Sequence, residues 1–243
     1  MQLALDIGNT RVKAGVFSGE HLLKSVNFQD WDDNSWTALW EEYQIKRIIV
    51  SSVVQLEFEQ LLKIPEGTER LDFNSKTSIP ILNKYSTPDT LGKDRLAGAI
   101  GGWNYFAKQS TLVIDSGTCI KYDYINAAGE YLGGNITPGM QMRLDAMNHF
   151  TARLPLFNLE KVNDFIGGDT KSSMMTGVDY GVVGEILYFI DLYEKRFGKI
   201  CVILTGGNAE FLSLQLEKKY PVDTELVLRG LNTILNFNNN YEF

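Results

Sequence analysis

Apolar residues recur along this chain in short runs that break at glycine, and one such break occurs twice. Leu3-Ala4-Leu5 runs into Asp6-Ile7-Gly8-Asn9-Thr10, and Leu112-Val113-Ile114 runs into Asp115-Ser116-Gly117-Thr118. Each run then resumes, as Val12 to Phe17 and as Cys119 to Ile125. Each copy therefore reads as a β-hairpin whose turn presents an acid, backbone N–H groups and a hydroxyl. A third run, Val202-Ile203-Leu204-Thr205, breaks at Gly206-Gly207-Asn208 before a helical stretch.

Around these turns the periodicity predicts strands at 2–7, 11–17 and 21–28, a helix near 34–43, a β-rich segment at 47–54, a helix near 55–63 and a short strand near 69–73. An irregular stretch holding Pro80 and Pro88 follows, then a helix near 93–107. The second half predicts the hairpin at 111–125, a strand at 131–136 and a helix at 140–149 entered through Pro138-Gly139. A long helix over about 171–196 keeps Val178, Val182, Ile186, Phe189, Ile190 and Phe197 on one face. A strand at 200–205, a helix near 208–219, a strand at 225–228, a helix near 229–237 and a frayed Asn238–Asn240 end complete the expectation. Trp36 and Trp40, one helical turn apart, read as core anchors. No Ser/Gly/Pro linker divides the chain, so the duplication itself sets a boundary near Ser110, giving domains 1–110 and 111–243.

With 243 residues and 44% hydrophobic content the chain can bury sizeable cores. The formal net charge of −7 argues against nucleic-acid or anionic-membrane partners, but not against a small anionic ligand in a local pocket. No apolar run approaches the roughly 20 residues needed to cross a bilayer, and Met1 leads almost directly into the first strand, so the expected compartment is the cytoplasm. Cys119 and Cys201 fall in apolar strands and read as reduced core residues. His21 and His149 share no metal-ligand spacing with each other or with the cysteines.

The chemistry follows from the turns. Two facing copies would clamp a nucleotide triphosphate, with turn amides on phosphate oxygens and an Asp holding Mg²⁺ directly or through water. A single copy also reads as an ordinary tight turn. Between the copies, Gly92-Lys93-Asp94-Arg95 places an acid and a guanidinium side by side at a helix start. They form either a dipole-favoured acid with a solvated pair partner, or the proton acceptor and anion holder that a kinase needs. Asp169-Thr170, before the long helix, reads as an N-cap or as a ligand contact. Lys13 either steadies phosphate charge or is a solvated strand-end lysine. In Gly133-Gly134-Asn135-Ile136-Thr137-Pro138-Gly139 the glycines imply close approach, to a ligand or to another backbone.

Taken in order, these motifs, with Thr151-Ala152-Arg153-Leu154-Pro155, Thr170 and Thr205-Gly206-Gly207, resemble the type III pantothenate kinases nearly end to end. The resemblance implies an α/β fold of two related ribonuclease H-like domains, as in the acetate and sugar kinase/Hsc70/actin superfamily, with the nucleotide cleft between them. It implies ATP-dependent phosphorylation of pantothenate to 4'-phosphopantothenate, the first step of coenzyme A biosynthesis. By it, Asp6, Ile7, Gly8, Asn9, Thr10, Arg11, Val12 and Lys13 bind ATP phosphates, Asp6 serves Mg²⁺, and Thr118 touches the nucleotide from the other side. Asp94 becomes the proton acceptor, while Tyr85, Gly92, Lys93, Asp94, Arg95 and Thr170 hold pantothenate, with Arg95 on its carboxylate. Asp115 ligates a monovalent cation, K⁺ or NH₄⁺, and the protein is a homodimer. The chain departs from the family in carrying Lys93 where a small residue is usual, and in carrying Thr10 where Ser is also common. Other kinases of the fold, a non-catalytic regulator and an actin- or Hsp70-like ATPase are the rival readings.

Overall fold

The computed structural model describes residues 1–8, 12–28, 33–52, 63–162, 164–216 and 219–239. Asn9, Thr10 and Arg11, and the helix expected near 55–63 apart from Lys63, lie outside the described residues. The chain forms two compact units. One comprises Met1–Gln109, Ile125–Gly133 and Glu225–Phe243, the other Ser110–Tyr124 and Gly134–Thr224. The domains are thus not contiguous in sequence as expected, because the C-terminal helix packs with the N-terminal elements.

In the first unit β1 (Gln2–Ile7) pairs antiparallel with β2 (Val12–Ser18), which pairs with β3 (His21–Phe28). On its other side β1 runs parallel to β4 (Arg47–Ser52), and β4 to β5 (Glu69–Asp72). The resulting order is β3-β2-β1-β4-β5. Leu3, Leu5 and Ile7 point to one face, with Trp36 and Leu39 of α1 (Asp33–Glu42); Ala4, Phe17 and Ile49 point to the other. A strand covered on both faces reads as a continuous apolar run, as β1 does. Each fully buried Leu or Ile contributes about 1.5–3 kcal/mol. The Trp36 and Trp40 rings meet edge to face at 5.5 Å, in keeping with their expected anchoring role.

The second face is covered by α2 (Lys93–Tyr105) and α6 (Leu226–Asn239). They touch backbone to backbone: a Cβ on Gly230 would fall on the Ala97 carbonyl, and one on Gly101 on the Leu226 carbonyl. The expected strand at 225–228 is therefore the first turn of α6. A short apolar run such as Leu226-Val227-Leu228 has no period of its own, and here Leu228, Leu231, Ile234 and Leu235 extend it at helical spacing into the core.

The second sheet repeats the plan of the first. β7 (Thr111–Ser116) and β8 (Cys119–Ile125) form the hairpin, β9 (Glu130–Pro138) follows, and β10 (Cys201–Thr205) runs parallel to β7. The order is β10-β7-β8-β9-β6, so β7, β8, β9 and β10 correspond to β1, β2, β3 and β4. The edge strand β6 (Leu82–Asn83), in the stretch expected to be irregular, pairs parallel with Glu130 and Tyr131. In the second unit α3 (Met140–Phe150), α4 (Thr170–Phe197) and α5 (Ala209–Gln215) bury Leu144, Val182, Ile186 and Leu212 against β7 and β8 residues. Cys119 and Cys201 are free thiols, half-buried instead of full core residues. Among the described residues, no helix is long and apolar enough to cross a membrane.

Candidate active site

The first unit gathers most of the expected substrate residues at the start of α2. Gly92 caps the helix without a side-chain hydrogen bond, and Asp94 lies in the first turn, where an acid is favoured by the exposed N–H groups. A Cβ on Gly92 would come within 2.6 Å of Asp94 Oδ1, so the absent side chain gives that carboxylate its room. Arg95 is buried, and its guanidinium carbon stands 5.6 Å from the centre of the Tyr85 ring. Tyr85 follows β6, its N–H donating to Asn83 Oδ1 at 2.9 Å, and its ring also faces Tyr131 at 6.3 Å. Gly133, at φ +96°, brings bare backbone against the same ring; a Cβ there would sit 3.0 Å from it.

Lys93 does not point to solvent. Its Nζ donates to the Ser52 carbonyl at 3.1 Å, and Ser52 is the register partner of Ile7. The lysine thereby ties the start of α2 to the ends of the strands that carry the first turn. At those ends Asp6 lies opposite Lys13 on β2 and beside Ser51 on β4. Ile7 and Val12 are buried core residues, so only their backbone can serve a ligand, whereas Gly8 is half-buried. Lys13 Nζ stands 4.0 Å from Glu225 Oε2. Ser51 is a residue that sequence reasoning passed over: its hydroxyl is fully buried, has no hydrogen-bond partner among the described residues, and lies next to Asp6 in register.

In the second unit three glycine segments converge. Asp115 pairs in register with Thr205, the Asn208 N–H donates to the Ser116 carbonyl at 2.9 Å, and the Gly139 N–H donates to the Thr118 carbonyl at 3.1 Å. Gly206, at φ +91°, lies so close that a Cβ would fall on Asp115 Oδ1. Gly134 and Gly139 likewise meet the carbonyls of Tyr122 and Thr118. At these two positions the glycine-rich segment approaches other backbone. Thr118 is exposed at the turn. Asp115 Oδ2 accepts from Lys121 Nζ at 2.7 Å, a partner that the sequence reading passed over, although Lys121 stands on the returning strand as Lys13 does in the first copy.

Behind these turns Glu185 of α4 binds three partners. Tyr122 and Thr137 hydroxyls donate to Oε1 at 2.8 and 2.7 Å, and Arg143 Nη2 donates to Oε2 at 2.7 Å. Arg143 Nε also donates to the Pro138 carbonyl at 2.9 Å, so the group fixes the entry to α3. Burial would raise the Glu185 carboxyl, but these hydrogen bonds outweigh it and hold the group below the usual range. Burial, then the hydrogen bond to Glu185 and its charge, pushes the Tyr122 phenol well up. Nothing in the spacing of these four residues announces the network in sequence. At the start of α4, Asp169 forms a capping box with Ser172, whose N–H donates to Oδ1 at 2.7 Å, so the acid is an N-cap. Thr170 is exposed at the first helical position.

Solved structures share this architecture. A conserved Baf family protein from Campylobacter jejuni matches with TM-score 0.64 at 23% identity, over 98% of this chain and 99% of that one. The inorganic polyphosphate/ATP-glucomannokinase from Arthrobacter sp. strain KM matches with TM-score 0.52 at 14% identity, over 98% of each. At such identities both speak to the fold alone. Two sheets on one strand plan, each delivering an acid into a glycine turn, define a member of the acetate and sugar kinase/Hsc70/actin fold class. Residues 2–192 match type III pantothenate kinase, and the protein of that name from Bacteroides fragilis (strain YCH46) is 38% identical over 242 residues, covering 98% of this chain and 99% of that one. The chain belongs to the type III pantothenate kinase family and is a kinase.

Proposed function

We propose that this chain transfers the γ-phosphoryl group of ATP to the primary hydroxyl of pantothenate, giving 4'-phosphopantothenate, the first step of coenzyme A biosynthesis. The observation that carries the residue roles is the first turn of α2, where Asp94 and the buried Arg95 follow each other and Arg95 lies over Tyr85. Phosphoryl transfer has a loose transition state in most analyses, so the protein mainly aligns groups and offsets charge. Asp94 orients the hydroxyl and takes its proton as the bond to phosphorus forms. Arg95, planar and held on the tyrosine face, anchors the pantothenate carboxylate. The exposed hydroxyl of Thr170 is a further contact for pantothenate.

The backbone from Asp6 to Lys13 cradles ATP phosphates, and Thr118 meets the nucleotide from the second turn. Asp6 is a hard oxygen ligand suited to Mg²⁺, directly or through water. Among the described residues no cluster of three candidate ligands surrounds it, which suits an ion that keeps its waters and leans on substrate phosphates. When bound, the ion neutralises charge on the transferring phosphates. The resemblance also assigns K⁺ or NH₄⁺ to Asp115, but the residues there do not fit a second free cation, because the Lys121 ammonium already sits on Oδ2. Two copies pair in this reading, which the exposed Tyr180, Tyr188 and Leu192 along α4 support. The reading places the reaction in the cytoplasm.

The test is ADP release by the purified chain with Mg-ATP, with and without pantothenate. Release that does not rise when pantothenate is added sinks the reading.

A further inference from the structure

Both copies of the hairpin carry a lysine on the strand that returns from the acidic turn. In the first, Lys13 is the cross-strand partner of Asp6. In the second, Lys121 Nζ donates to Asp115 Oδ2 at 2.7 Å, and the two side chains are only 20% and 19% exposed. This is a largely desolvated pair, in which the partners are held to each other far more firmly than on an open surface. The other carboxylate oxygen is enclosed as well, since Oδ1 lies where a Cβ of Gly206 would fall. Asp115 is therefore bounded by an ammonium on one side and the third glycine turn on the other.

A free monovalent cation at Asp115 would have to share one carboxylate with that ammonium. Two unit charges of like sign at such a distance repel by several times thermal energy at the dielectric of a partly buried site. The lysine ammonium, however, is itself chemically equivalent to the expected cofactor. It is NH₄⁺ with one hydrogen replaced by carbon, carrying the same charge and donating the same kind of N–H bond to carboxylate oxygen.

We propose that the Lys121 ammonium takes the place of the monovalent cation in this chain, so that the second turn carries its own fixed positive charge and the kinase runs without K⁺ or NH₄⁺. The inference rests on the pantothenate kinase reading given above. It makes Lys121 a positioning residue for Asp115 and the Ser116-Gly117-Thr118 turn, which in that reading meets the nucleotide.

The experiment compares pantothenate-dependent ADP release at constant ionic strength in K⁺, NH₄⁺ and tetramethylammonium buffers, for the full chain and for Lys121→Met. The wild-type rates are expected to agree within about twofold in all three buffers. Lys121→Met is expected to lose at least tenfold in tetramethylammonium and to recover in K⁺ or NH₄⁺, which can reach the vacated carboxylate. A wild type that needs K⁺ or NH₄⁺ by tenfold or more overturns the proposal, as does a variant that matches wild type in tetramethylammonium. Thermal melting in the same buffers is the second readout, since a bound ion stabilises the folded state by mass action. K⁺ should raise the midpoint of the variant and leave the wild type unmoved relative to tetramethylammonium; equal shifts overturn the proposal. If the wild type releases no ADP in any buffer, the kinase reading fails and the melting comparison alone decides the role of Lys121. Should Lys121→Met not fold, Lys121→Gln, which keeps N–H donors without the charge, replaces it.

Discussion

The Arg95 guanidinium lies 5.6 Å from the centre of the Tyr85 ring, in a buried position where a planar cation can stack and a tetrahedral one cannot. Arg95→Lys keeps the charge but loses the stacked, forked geometry that suits a carboxylate. The expected result is a KM for pantothenate raised about tenfold with kcat changed much less, because the lost contact is made equally before and during transfer. Steady-state kinetics with varied pantothenate reads the split.

Asp94→Asn removes the proton acceptor and keeps the shape of the side chain over Gly92. Turnover is expected to fall by about 10²-fold or more with the melting midpoint nearly unchanged. Near-normal turnover would remove Asp94 from its role.

Glu185→Gln tests the network behind the second turn. The Arg143 guanidinium, 2.7 Å from Oε2, would lose its carboxylate, and hydrogen bonds to charged groups contribute about 1.5–3 kcal/mol, so stability at pH 7 should drop by about 2 kcal/mol in urea unfolding. The folded-state value of Glu185 is depressed. Its contribution is therefore fully present above the ordinary value of 4.5 and disappears as pH falls through the lower folded value. The stability gap between wild type and variant should narrow below about pH 4.5; a gap that stays constant with pH would show that shape, not charge, is what the network needs.

Gly230→Ala places a methyl group on the Ala97 carbonyl at the crossing of α2 and α6. Overpacking of this kind costs about 1–3 kcal/mol, and the helices must part to relieve it. Gly177→Ala, on α4 with no atom of the described residues within 4 Å of the added carbon, is the contrasting case and should gain up to about 1 kcal/mol from helix propensity. Chemical denaturation of the two variants gives the comparison.

The turns and their strands were legible because an apolar run, an acid and a glycine leave marks on neighbouring positions. Asp6, Asp94 and Asp115 could be picked out for the same reason, since each stands at the end of a strand or the start of a helix that periodicity defines. What stayed hidden depends on contacts distant in sequence. Ser51 matters only because β4 lies in register with β1, and Glu185 only because three other elements turn toward it. Leu226-Val227-Leu228 read as a strand because three apolar residues carry no period until the helix that continues them is known. The glycines at 134 and 139 showed that something comes close, but only the fold says that it is backbone.

Because α6 completes the first unit, the order in which the chain is made differs from the order in which its parts can be finished. β1 to β5 and α2 leave the ribosome early, yet the face bearing Ala4, Phe17 and Ile49 is covered only in part, by α2, until Leu228, Leu231 and Ile234 emerge. The two segments of the second unit, Ser110–Tyr124 and Gly134–Thr224, are both available before that. The unit that holds β1 is thus the last to close. Until then part of an apolar sheet face stays open to water, and a chain cut before residue 226 keeps that face open for good.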